Sequence, residues 1–135
     1  MNTQVAIRTP KSLFLPPDIN RRLRRTWRSL SRDPVRVQIV CCTDAEIARL
    51  NRQYRGRRGP TDVLTFVYGA GSSGDIFIAL GVARRQAHER KVTLADEFCR
   101  LAVHGLAHLS GYDHHTRDGF MTMRKKEFEA LVQIL

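Results

Sequence analysis

The sequence predicts an α+β fold: a four-stranded mixed sheet packed against about five helices, with a central helix that bears a metal site. Three observations predict it. Short alternating apolar runs interleave with longer runs of helical period. The apolar runs Val63–Tyr68 and 75–80 flank a glycine- and serine-rich stretch, 69–74, as in a hairpin. The segment His104-Gly-Leu-Ala-His108-Leu-Ser-Gly-Tyr-Asp-His114 sets two histidines one turn apart on an apolar helix and a third beyond Gly111. The length of 135 residues suits one domain, residues 1–135, with one core.

Val5-Ala6-Ile7 reads as a short strand. Pro16-Pro17 interrupts the chain, and Asp18 then caps a helix over 18–30. Ile19, Leu23, Trp27 and Leu30 form its apolar stripe, with Arg21, Arg22, Arg24, Arg25 and Arg28 on the other face. Val35, Val37, Ile39 and Cys41 alternate with Arg36, Gln38 and Val40, a strand pattern. Thr43-Asp44-Ala45-Glu46 is a capping box opening a helix with Ile47, Leu50 and Tyr54 on one face. A basic turn, 55–60, leads to the strand Val63–Tyr68, a flexible connection over 69–74 and a strand over 75–80. A helix over 81–90 follows. Thr93 caps the next, which runs to about residue 109 with Leu94, Phe98, Leu101 and Ala102 toward the core. Thr116 or Asp118 opens a final helix carrying Phe120, Met123, Phe128, Leu131 and Ile134.

The formal net charge is +10, and most of the cations are arginine. Guanidinium binds phosphate with a planar fork, so an arginine-rich basic domain suits nucleic acid. The bland alternative is a solvated basic face. No run is long enough to span a bilayer and no signal-peptide pattern opens the chain, so a cytoplasmic protein without a membrane partner is expected. The three cysteines, Cys41, Cys42 and Cys99, lack metal or redox spacing and read as small buried hydrophobes.

His104, His108 and His114 are the expected ligands of one divalent transition metal, zinc first and nickel as an alternative. Their spacing matches the metzincin pattern, but Gly105 stands where those proteases carry a glutamate base. Three neutral ligands leave the ion its full charge, which favours an anionic substrate such as phosphate. His115 and His88 read as incidental.

The run from His104 to His114 resembles the H-G-x-L-H-L-x-G-Y-D-H signature of the YbeY family of endoribonuclease-like rRNA maturation factors. Asn51-Arg-Gln-Tyr54-Arg55, Thr61-Asp-Val-Leu-Thr-Phe66 and Gly74-Asp75-Ile76 resemble further family segments in the same order. Ala107, Thr65 and Val67 depart from the usual residues. The resemblance implies a single-strand-specific, metal-dependent endoribonuclease that acts on the small ribosomal subunit, in 16S-type rRNA 3′-end maturation and ribosome quality control. It implies His104, His108 and His114 as metal ligands and Arg55 as the functional arginine, for which the chemical role would be to clamp phosphate. Arg21, Arg22, Arg24, Arg25, Arg28, Arg57 and Arg58 are candidates for RNA backbone contacts, with no DNA specificity expected. Asp113 is a candidate to orient a ligand histidine, and Asp113 or Asp62 a candidate base. Two alternatives stay open: a non-catalytic ribosome-assembly factor with a stabilising metal, and, more remotely, a metalloprotease.

Overall fold

The computed structural model describes residues 4–8, 21, 23–25, 36–68 and 73–109. Its strands are β1 (Gln4–Arg8), β2 (Arg36–Cys42), β3 (Val63–Tyr68) and β4 (Ser73–Ala79). Its helices are α1 (Asp44–Arg55), α2 (Leu80–Arg90) and α3 (Leu94–Leu109), and residues 21 and 23–25 are also helical. The final helix expected after residue 114 lies outside the described residues.

The strands order as β1-β2-β4-β3. β1 and β4 flank β2 in parallel, and β3 runs antiparallel to β4, so the sheet is mixed. The antiparallel pair brings Thr65 opposite Ile76 and Leu64 opposite Phe77. Period-two alternation gives the sheet two apolar faces. Val37, Ile39, Ile76 and Ile78 join Phe98, Leu101, Ala102 and Leu106 of α3, all essentially inaccessible. Leu23 belongs to the same cluster; Ile19, Trp27 and Leu30, the rest of the stripe expected on its helix, lie outside the described residues. On the opposite face Ile47 of α1 packs with Cys42, Leu64 and Ala79. Helix α3 is therefore the buried centre, as its apolar sequence predicts.

Local chemistry fixes the helix ends. The α1 capping box forms as expected: the Glu46 amide donates to Thr43 Oγ1 at 3.1 Å and the Thr43 amide donates to Glu46 Oε2 at 3.4 Å. Gly56 ends α1 in the left-handed region, φ 64°, where glycine avoids the Cβ penalty. Thr93 caps α3 through the Asp96 amide at 3.1 Å. The flanking residue of α2, Ala79, has no side chain able to cap. Asp44, at the start of α1, substitutes: the Val82 amide donates to its Oδ1 at 3.2 Å and Arg85 Nη2 donates to its Oδ2 at 2.9 Å.

Two local expectations need correction. The sequence places Gly74 in a flexible connection, but β4 already includes it, buried and registered with Val37 and Val67. A Cβ there would collide with the Phe66 carbonyl and with Leu109, so close packing, not flexibility, explains the glycine. Tyr54 does not join Ile47 in the core. It is 59% exposed and meets Phe66 edge-on, with ring centroids 5.3 Å apart.

Candidate active site

Helix α3 is apolar except for one stripe. Glu97, Arg100, His104 and His108 recur at spacings of three and four, so they follow one face of the helix. His104 and His108 are half-buried, and their rings meet edge-on with centroids 4.9 Å apart. They line a cavity of about 750 Å³ whose other walls include Arg55, Arg57, Arg58, Asp62 and Thr65. Two imidazoles one turn apart on a rigid helix are a sound half of a metal site. His114, Gly111 and Asp113 lie outside the described residues. Among the described residues no group of three His, Cys, Asp or Glu side chains gathers as ligands.

Gly105 is buried and packs on the sheet. A Cβ at Gly105 would sit 2.7 Å from Ile76 Cγ2 and 2.9 Å from its Cδ1. Ile76 is inaccessible and β-branched, so it has little freedom to yield. The residue between the histidines is a glycine because the helix lies directly on β4. A glutamate at this position would have no room here, which removes the protease-type base for a steric reason.

Arg55, the last residue of α1, is exposed and reaches the β3 backbone. Its Nη2 donates to the Thr65 carbonyl at 2.9 Å, and its guanidinium carbon lies 5.9 Å from the Phe66 ring centroid. The turn that carries Arg57 and Arg58 is organised by Asn51. That side chain is buried, and its Nδ2 donates to the Gly59 carbonyl at 3.0 Å while its backbone carbonyl accepts the Arg57 amide at 3.3 Å. The sequence signals Asn51 only within a motif; its turn-holding role depends on a contact eight residues away.

Asp62 lines the same cavity, but both its oxygens are engaged. Oδ1 accepts the Val63 amide at 2.8 Å and the Thr61 hydroxyl at 3.5 Å, and Oδ2 accepts Gln86 Nε2 at 3.3 Å. This makes it an anchor for the start of β3 more readily than a proton acceptor. Of the basic-helix candidates, Arg21, Arg24 and Arg25 are exposed, whereas Arg22 and Arg28 lie outside the described residues. His88 is exposed on α2. Cys41 and Cys42 play no part in the cavity. Burial, then the neighbouring Cys42, pushes the Cys41 thiol up to about 12. Burial, then Glu46 and Asp44, pushes the Cys42 thiol up to about 11.

Comparison with known proteins agrees with the geometry. A family model described as Endoribonuclease YbeY matches residues 18–134. A protein named Endoribonuclease YbeY from Pelotomaculum thermopropionicum is 45% identical over 105 residues, covering 70% of this chain and 69% of that one. Its namesake from Solibacter usitatus is 36% identical over 128 residues, covering 95% and 86%. The solution structure of a Thermotoga maritima protein superposes with a TM-score of 0.72 at 27% identity, covering 97% of this chain and 89% of that one. No helix among the described residues is long and apolar enough to cross a membrane. By its sequence, this chain belongs to the endoribonuclease YbeY family.

Proposed function

We propose that this chain is a metal-dependent, single-strand-specific endoribonuclease of the cytoplasm, and that it matures the 3′ end of small-subunit rRNA and takes part in ribosome quality control. The observation that carries the reading is the cavity itself, with two helix-borne imidazoles on one wall and Arg55, Arg57 and Arg58 on another. A polyanion fits such walls better than a peptide does. Residues 1–135 are read as one zincin-like domain in which His104, His108 and His114 hold a divalent transition metal, zinc first and nickel second. The metal would supply a Lewis acid for a phosphoryl oxygen.

The chain's own residues do the rest. Arg55 is held by the Thr65 carbonyl at the cavity wall, where its guanidinium can bind a non-bridging phosphate oxygen and the charge that develops on it. Arg57 and Arg58 are exposed and suit the flanking phosphates, and the exposed Arg21, Arg24 and Arg25 suit more distant backbone. Recognition by phosphate contacts predicts that affinity falls steeply as salt rises. Asp113 would orient a histidine ligand.

The test is metal analysis of the purified protein combined with cleavage of a defined 16S-type rRNA fragment. The expected result is about one metal ion per chain and cleavage that His108→Ala abolishes. Cleavage by His108→Ala at the wild-type rate would sink the proposal. A folded His114→Ala protein that still supports rRNA processing would favour a non-catalytic assembly factor instead.

A further inference from the structure

Glu97 has a side chain only 1% exposed, on the helix that forms the buried centre of the fold. Burying a carboxylate is costly unless it is well paired. Its Oε1 accepts Arg100 Nε at 2.7 Å, while its Oε2 has no hydrogen-bond partner and faces Arg90 Nε at 3.5 Å. Arg100 is therefore held from behind. Its Nη2 donates forward to Gln86 Oε1 at 3.4 Å. Gln86 Nε2 in turn donates to Asp62 Oδ2 at 3.3 Å, and Asp62 Oδ1 accepts the Val63 amide at 2.8 Å. The chain of contacts starts on α3, crosses α2 and ends on the first residue of β3.

We propose that Gln86 and Arg100 are positioning residues, which with Glu97 and Asp62 form a directional hydrogen-bond chain fixing the β3 wall of the cavity against the histidine-bearing helix. Direction is the central point. Arg100 is only a donor and ionised Asp62 only an acceptor, so the Gln86 amide satisfies both in one orientation alone. His104 and His108 ride on the same helix as Glu97 and Arg100, and Thr65, which holds Arg55, rides on the strand that Asp62 anchors. The chain thus sets the spacing between the imidazoles and the arginine. This inference rests on the nuclease reading for its consequence in catalysis, though not for the contacts.

Isosteric exchange tests it without changing volume. In Asp62→Asn the amide oxygen must still face the Val63 amide, so its NH2 group turns to Gln86. Gln86 then flips, and its own NH2 meets Arg100, donor against donor. In Gln86→Glu two carboxylates face each other. The double variant Asp62→Asn/Gln86→Glu restores a donor–acceptor match at every link. Zinc-loaded protein is assayed on a short single-stranded RNA, and exchange of the Val63 amide is followed by NMR. Each single variant should lower kcat about tenfold or more at little-changed KM, the usual scale for a misplaced site. Each should also speed Val63 exchange, and the double variant should recover both. Single variants that keep wild-type kcat and Val63 protection, or a double variant no better than the worse single, would overturn the proposal. If wild-type protein leaves the RNA intact, the nuclease reading fails, and Val63 exchange alone decides the chain: no change in the singles, or no recovery in the double, refutes it.

Discussion

Gly105→Ala offers the most direct test of how α3 sits on the sheet. In an exposed helix this change would stabilise by about 1 kcal/mol, because glycine is a poor helix former. Here the new methyl would lie 2.7, 2.9 and 3.1 Å from three carbons of Ile76. Comfortable carbon–carbon separations are about 3.5–4.0 Å, so helix and strand must part by roughly 1 Å at this point. Ile76 sits in β4 between β2 and β3 and is fully inaccessible, which leaves no cheap way to yield. Overpacking of this kind costs about 1–3 kcal/mol, so a net loss of about 1 kcal/mol is expected. For a chain of this size that lowers Tm by about 3–6 °C. Urea and thermal unfolding of Gly105→Ala, Ile76→Ala and the double variant measure the coupling. The alanine at 76 removes every clashing carbon, so the double variant should be more stable than the two single losses add up to. A Gly105→Ala protein stabilised by the full propensity gain would refute the close-approach argument.

Three further outcomes are expected. Asp44→Ala removes the only side-chain cap on α2 among the described residues and should cost about 1 kcal/mol in urea unfolding, as loss of a helix cap usually does. Arg55→Lys keeps the charge but loses the fork that donates to the Thr65 carbonyl and, on the proposed reading, would bind a phosphate. It should lower RNA cleavage at least about tenfold while shifting stability by no more than about 0.5 kcal/mol, since the side chain is exposed. Cys41 and Cys42 should resist alkylation at pH 8 in the folded state and react rapidly in denaturant. Their thiols rise from 9.0 to about 12 and about 11 on folding, so the unfolded state loses those protons first as pH rises. The stability they contribute is therefore complete below pH 9.0 and is lost through the window up to about 12. Unfolding midpoints that stay flat from pH 9.0 to about 11 would contradict the packing of half-buried Cys41 and buried Cys42.

What could be read from the sequence was mostly local. The histidine pair declares itself because both residues lie on one helix four positions apart, and periodicity is visible in a single window. The Thr43 capping box is equally local. Arg55 is different: Arg57 and Arg58 are just as basic, and only a resemblance singled it out until its bond to Thr65 set it apart. Asp44 caps a helix 38 positions away, and Gln86 meets Asp62 across 24. No periodicity or spacing rule encodes such pairs, because the sheet topology creates them. Gly74 misleads in a related way. A glycine at a close approach has the same letter as a glycine in a loop, and only the opposing Leu109 separates the two cases.

The polar stripe on α3 and the glycine beside it have one common cause. A helix pressed onto a sheet closely enough to exclude a methyl group has no room for polar side chains on that side. Its polar groups are confined to a neighbouring stripe, and there Glu97, Arg100, His104 and His108 stand in line. Glu97 holds Arg100, which donates to Gln86, whose amide reaches Asp62, and the two histidines line the cavity. The same packing that leaves no space for a glutamate between the histidines therefore seats the histidine-bearing helix directly on β4. A protease gains a base from that position; in this chain the position seats the helix on Ile76, and the basic groups that line the cavity come from Arg55 and the turn after α1.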